Sequence, residues 1–177
     1  ELSQKAYHLA NQTGYRPGQA KALYTLGIFH KNAGNIKEAI EHQQKSFQLH
    51  HETSNPVGIT DNLIEQGELT YNLGQYDKAL KLFLRAREMA ADHGYQQGKI
   101  LSTIFIGKYF HTKGEFDRSM HYYSEARQLN QALEDSSLFI IIAKNIGKHH
   151  ETKGDYVLSL EEYLGALKIA EKLTNSL

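Results

Sequence analysis

The sequence predicts an all-α solenoid of antiparallel helix pairs, with about nine helices in the chain. Three observations carry this. Glycines recur every forty residues in two series, Gly27, Gly67, Gly107 and Gly147, and Gly34, Gly74, Gly114 and Gly154. Other columns keep the same step: Ala39, Ala79, Ser119 and Ser159 are small, Ile36, Tyr76, Phe116 and Tyr156 are large, and Ser46, Ala86, Ala126 and Ala166 are small again. Each unit also carries two apolar stripes at helical spacing with a glycine between them.

The elements follow in chain order. Residues 1–16 read as an orphan second helix, because 1–19 aligns with 81–99: Ala6, Ala10, Gly14, Tyr15 and Gly18 pair with Ala86, Ala90, Gly94, Tyr95 and Gly98. Four units follow, at 17–56, 57–96, 97–136 and 137–177, as one array. In the second unit Ile59, Leu63, Ile64, Leu69 and Leu73 form the first stripe. Gly74 stops that helix, and Tyr76, Leu80, Phe83, Leu84 and Met89 form the second stripe. Pro17 and Pro56 stand at helix starts, where a missing N–H costs nothing. Short connections require neighbouring helices to be antiparallel. A chain that opens without Met on a second helix, and closes on another without a polar cap, is expected to be cut from a longer array.

The glycines inside the helices need a steric reason. Each costs about 1 kcal/mol against alanine, so the column forgoes roughly 4 kcal/mol. A second helix crossing too closely for a β-carbon explains them, with Phe83, Tyr123 and Tyr163 filling the remaining space.

At these residues the chain resembles the tetratricopeptide repeat, whose unit has Leu-Gly in the first helix, Gly at the turn, then an aromatic, Ala, an aromatic and Ala. Residues 63–86, "LIEQGELTYNLGQYDKALKLFLRA", match nearly throughout. Residues 103–126 and 143–166 match well, and 23–46 match at Leu26-Gly27, Gly34 and Ala39 but have Gln43 where an aromatic is usual. The forty-residue step resembles the long-repeat subclass of bacterial sensor and regulator proteins. The resemblance implies a right-handed solenoid of four and a half units, with a concave face lined by first helices. It also implies a scaffold that binds a protein or peptide. The family's clamp for chaperone tails uses Lys and Asn at set points where Tyr24 and Ile28 stand here, so that ligand is not expected.

Composition narrows the function. Lys plus Arg and Asp plus Glu are each 20 in 177 residues, so no basic stripe offers itself to nucleic acid. The longest apolar run, "LFIIIA", is far too short to span a membrane, and no signal peptide is visible. Zero cysteines exclude disulfides and thiolate chemistry; a cytoplasmic location is the expectation. The tetrapeptide "HHET" occurs twice, at His50-His51-Glu52-Thr53 and His149-His150-Glu151-Thr152. The repeat register puts the first near the end of a second helix and the second in the middle of a first helix, so the copies are not equivalent. Neither has the zinc-protease spacing, since Asn55 and Gly154 stand where the next histidine is required. No phosphate loop or serine elbow is present, and Glu65 and Glu68 read as solvated groove residues. The expectation is no enzyme, no metal and no cofactor.

The glycine column fixes the packed side of each first helix and so predicts the open side. It includes Lys21, Tyr24, Thr25, Ile28 and Lys31 in the first unit and Asp61, Ile64, Glu65, Glu68 and Asn72 in the second. The third supplies Leu101, Ile104, Phe105, Lys108 and His111, and the fourth Ile141, Lys144, Asn145 and Lys148. Leu101, Ile104, Phe105 and Ile141 bordered by Lys108, Lys144 and Lys148 suit a peptide with an apolar anchor and an acidic group. The expected role is the sensory or interaction segment of a larger signalling protein. Two alternatives stay open: a peptide-controlled regulator resembling bacterial quorum-peptide receptors, and self-association as a homodimer through the array ends.

Overall fold

The computed structural model describes residues 2–175. All regular structure among them is helical: α1 Leu2–Gln12, α2 Arg16–Asn32, α3 Ile36–Glu52, α4 Pro56–Asn72, α5 Tyr76–Asp92, α6 Gln96–Thr112, α7 Phe116–Leu133, α8 Ser136–Lys153 and α9 Tyr156–Asn175. From α2 onward a helix begins every twenty residues. The chain divides into two compact units after Gly98.

The turns explain the regular starts. Gly34 and Gly74 take φ of 79° and 77°, and past Gly34 the Asn35 N–H donates to the His30 carbonyl at 2.9 Å. This left-handed closure satisfies the last carbonyls of the helix and turns the chain. Ser54 performs the same turn at φ 49° without being glycine. The following helix starts are fixed by side chains: Asn55 Oδ1 accepts from the Gly58 N–H at 3.0 Å, and Asp135 Oδ1 accepts from Ser137 and Leu138 at 2.9 and 3.0 Å.

Within each pair the second helix lies against the glycine of the first. A β-carbon on Gly67 would stand 2.4 Å from the Phe83 ring; on Gly107 it would stand 2.6 Å from Tyr123, and on Gly147 2.7 Å from Tyr163. What excludes the β-carbon is therefore mainly an aromatic ring lying on the glycine, rather than a neighbouring backbone. In the first pair Gln43 takes that place, 2.6 Å from where a Gly27 β-carbon would be. Gln43 is 3% exposed, and its Oε1 has no hydrogen-bond partner. Ala79, Ala86, Ser119 and Ala126 are fully buried and let the helices approach.

The first helices are buried over a wider arc than a two-helix packing gives. Ile64 and Ile104, expected on the open side, are 5% and 2% exposed. A first helix has neighbours on more than one flank: α4 touches α2, α3 and α5. Ile104 enters a core with Ile100, Tyr123, Leu138, Ile142 and Ile146.

Candidate functional site

In the unit up to Gly98, the exposed stripe of α2 and α4 carries a polar cluster. Lys31 Nζ donates to Glu65 Oε2 at 2.6 Å and also to Glu68 Oε2. The side chains of Lys31, Glu65 and Glu68 are 16%, 16% and 27% exposed. The two glutamates are thus paired and half-covered, not solvated as the sequence suggested, because the long Lys31 stem from the preceding first helix lies over them. One turn away, the Tyr95 hydroxyl donates to Asp61 Oδ1 at 2.9 Å.

Burial sets the electrostatics here. It raises the pKa of Glu65, with Lys31 pulling the other way. It raises Asp61 likewise, against the Tyr95 hydrogen bond. Burial works against the Lys31 charge, but the two glutamates outweigh it and raise its pKa. The Tyr24 phenol is held far above its ordinary range by burial and then by the negative charge of Glu65 and Asp61. A cavity of about 370 Å³ beside it is lined by Lys21, Tyr24 and Asp61, with Tyr15, His50 and Asn55. Ile28 is half-buried, Thr25 is exposed, and Asn72 is exposed at the end of α4, one turn beyond Glu68.

The unit from Lys99 carries a different face. Leu101, Phe105 and Lys108 of α6 are half-buried. The Lys108 Nζ lies 5.8 Å from the Phe105 ring centre. On α8, Ile141 is 38% exposed and Lys144 and Lys148 are exposed. Lys148 pairs with Glu151 at 3.2 Å, and Asn145 turns back on its own helix, donating to the Ile141 carbonyl at 2.8 Å. His111 packs inward instead of onto the open stripe, its ring 5.5 Å from Phe116 and 5.7 Å from His149.

The histidine pairs are packing devices. His50, near the end of α3, is 6% exposed and lies where a Gly58 β-carbon would be, 2.2 Å from its Nδ1. Asn55 Nδ2 meets that Nδ1 at 3.2 Å. His149 and His150 fall in the last turns of α8, not its middle. His149 is 2% exposed, edge-on to Phe116 and Tyr123. Among the described residues no three His, Asp or Glu side chains converge on a metal position, and no helix is long and apolar enough to cross a membrane.

Of the pairings that sequence reading missed, two join neighbouring repeats and one lies within a single repeat. Lys31 to Glu65, between the first and second repeats, and Asp61 to Tyr95, within the second, each span 34 residues, and Arg127 to Glu162, at 2.5 Å between the third and fourth, spans 35. A search for opposite charges at that separation would have found two of the three.

Comparison with known proteins agrees with this architecture. Residues 19–57 match the sequence model of the tetratricopeptide repeat. No curated protein matches the chain by sequence. Among solved structures, BtubC (BKLC) from P. vanneervenii is similar over 97% of this chain and 72% of its own, with 17% identity and TM-score 0.76. RapI in its apo form is similar over 97% and 64%, with 14% identity and TM-score 0.75. Aspartyl phosphate phosphatase F from Bacillus subtilis is similar over 95% and 53%, with 14% identity and TM-score 0.70. The chain thus spans under two thirds of the last two, and at these identities the likeness is one of fold.

Proposed function

We propose, from the premise that this chain is a helical-repeat protein of tetratricopeptide type, that it is a non-enzymatic scaffold binding a protein or peptide segment on its first-helix stripes. The residues 1–177 form one array in this reading, divided as the forty-residue register divides them. It serves as the sensory or interaction segment of a larger signalling or regulatory protein in the cytoplasm. One observation carries the reading: the columns that pack are nearly constant from repeat to repeat, while the exposed positions of the first helices change in both charge and size. Leu101, Phe105 and Ile141 with Lys108, Lys144 and Lys148 favour a segment that pairs an apolar anchor with an acidic group.

The test uses short synthetic peptides pairing Leu or Phe with Glu, titrated into the wild-type chain and into Phe105→Ala and Lys108→Glu. Both variants should weaken binding about tenfold, the scale of one anchor or one charged contact, with little change in melting temperature. Unchanged binding in both would remove the groove assignment.

Self-association is favoured by a separate observation. The outer face of α9 exposes Tyr156, Val157, Leu160, Leu164 and Leu167, each by more than half, and exposed apolar faces of this extent mark contact sites. Light scattering over a concentration series tests it; a monomer at every concentration contradicts it. A peptide-controlled regulator is the remaining alternative, and a thermal-shift screen of short peptides separates it from a binder of folded proteins only.

A further inference from the structure

The second unit holds a cavity that shares no residue with its first-helix stripes. It measures about 390 Å³ and opens between the last turns of α7, the start of α8 and the middle of α9. It faces the preceding repeat. Glu162, Gly165 and Ile169 line it from α9 and are half-buried, as their counterparts Tyr122, Glu125 and Leu129 are in α7, which a further helix pair follows. The other flank of α9 is the more open one: Leu167 and Ala170 are more exposed than Arg127 and Asn130 at the same places in α7.

Phe139, Ile142 and Ile169 supply the apolar wall, and Gly165 leaves room beside it. The column of Gly165 otherwise holds long side chains, Lys45, Arg85 and Glu125. Gly67, Gly107 and Gly147 each lie under an aromatic ring, but a β-carbon on Gly165 would meet only Phe139, at 4.0 Å, an ordinary contact. A glycine inside a helix is costly, and no crowding explains this one. The polar wall calls for a cation. Glu134, Asp135, Glu161 and Glu162 stand against one guanidinium, Arg127, which is already paired with Glu162. Asn130, on the same wall, is 6% exposed. Its Nδ2 donates to the Asp135 carbonyl at 2.9 Å, and its Oδ1 is buried without a partner among the described residues. An unmet buried acceptor is costly, and it asks for what the carboxylates ask for, an N–H donor. One turn earlier Arg127 Nε is a donor without an acceptor.

We propose that this cavity binds a segment of a partner protein in which an apolar side chain stands beside an arginine or lysine. The apolar side chain fills the space between Phe139 and Gly165, and the cation meets Glu134 and Glu161, which are exposed. A carbonyl of the segment's backbone is the acceptor that Arg127 Nε lacks. The occupant is argued from charge complementarity, four carboxylates against one paired guanidinium around an apolar wall. The site asks for a base where Lys108, Lys144 and Lys148 ask for an acid, so it goes beyond the proposed function.

The test titrates the whole chain with a labelled hexapeptide carrying Leu-Arg at its centre, and with the same peptide carrying Leu-Glu, followed by fluorescence anisotropy and amide chemical shifts. The Leu-Arg peptide is expected to shift amides of 127–139 and 161–169, and the Leu-Glu peptide to bind at least about tenfold more weakly. Gly165→Leu fills the cavity where the backbone has open space, so it should keep helix content and melting temperature and weaken the Leu-Arg peptide at least about tenfold. Glu161→Lys, at an exposed position, should weaken it by about tenfold. Neither substitution should alter binding of a Phe-Glu peptide to the first-helix stripe, so failure here and failure of the proposed function are told apart. The proposal is overturned by absence of binding, by binding indifferent to Gly165→Leu, by equal binding of the two peptides, or by shifts confined to 101–108 and 141–148. A free amine, 3-phenylpropylamine, that binds as tightly as the Leu-Arg peptide would make the cavity a small-molecule site and overturn the peptide occupant equally.

Discussion

The first helices of the two compact units share their packed side and differ on their open side. Up to Gly98, α4 turns Asp61, Glu65 and Glu68 outward, and Lys31 and Tyr95 close over them. From Lys99, α6 and α8 offer Leu101, Phe105 and Ile141 with Lys108, Lys144 and Lys148. The packed columns hardly differ: Phe83 lies on Gly67 as Tyr123 lies on Gly107. The fold therefore constrains the glycine and aromatic columns and leaves the outward positions free. In the first unit they are spent on an internal ion-pair network. In the second they carry apolar side chains and lysines instead, with Lys148 paired to Glu151 of its own helix.

The largest effect should come from the shared part. Phe83→Ala is expected to cost its unit about 3–5 kcal/mol, and Tyr123→Ala a similar amount in the other unit, as for other fully buried aromatics. Hydrogen exchange read separately over 2–98 and 99–175 checks this. A cost below about 1 kcal/mol in either unit would mean that the two packings are not equivalent.

Lys31→Met tests the part that differs. It leaves Glu65 and Glu68 half-covered without their cation, which should cost about 2 kcal/mol at neutral pH, less than breaking a fully buried pair. Chemical denaturation measures it, and a matching loss from Lys148→Met would erase the contrast, since Lys148 is 62% exposed in its ion pair.

Gln43→Phe should act in the opposite direction. Phenylalanine would lie on Gly27 as Phe83 lies on Gly67, and it would remove a buried unpaired amide oxygen. A gain of about 1–2 kcal/mol is expected in the first unit alone, read as a shift in its unfolding midpoint.

The smallest effect is a divergence with pH. In the second unit, burial lowers the pKa of His111 and His149. The unfolded chain then binds more protons below its own imidazole pKa of about 6.5, so stability is lost as pH falls through that value. In the first unit, burial raises Asp61 and Glu65. The folded state holds those protons more tightly, so their contribution rises as pH falls toward the ordinary carboxyl range. His50, lowered by burial, opposes this in the same unit. Exchange protection between neutral and mildly acidic pH should therefore fall more over 99–175 than over 2–98. His149→Leu should flatten the second profile and Glu65→Gln should remove part of the rise in the first.

Much of the fold was legible because it is written locally and four times over. Gly34 and Gly74 mark helix ends by backbone conformation alone, and the Gly67–Phe83 and Gly107–Tyr123 contacts recur at a fixed spacing within one helix pair. The site was less legible because it depends on neighbours outside that pair. The burial of Ile64 and Ile104 is set by several flanking helices, which a stripe on one helix does not encode. Lys31 reaches Glu65 and Glu68 across a repeat boundary, so two residues that looked solvated are paired. His111 looked like a groove residue but faces Phe116 and His149, because its ring completes an aromatic contact that spans three helices.

The account rests on the open stripe of the second unit being a ligand surface and not a further internal network. The most direct measurement is calorimetric titration of the chain with a peptide pairing Phe and Glu, with Lys108→Glu and Lys144→Glu alongside. The account predicts saturable binding that each reversal weakens about tenfold, with unfolding midpoints unchanged. Absence of binding, or reversals that lower stability and leave binding intact, would show that these lysines serve the fold and that the stripe is not where a partner is held.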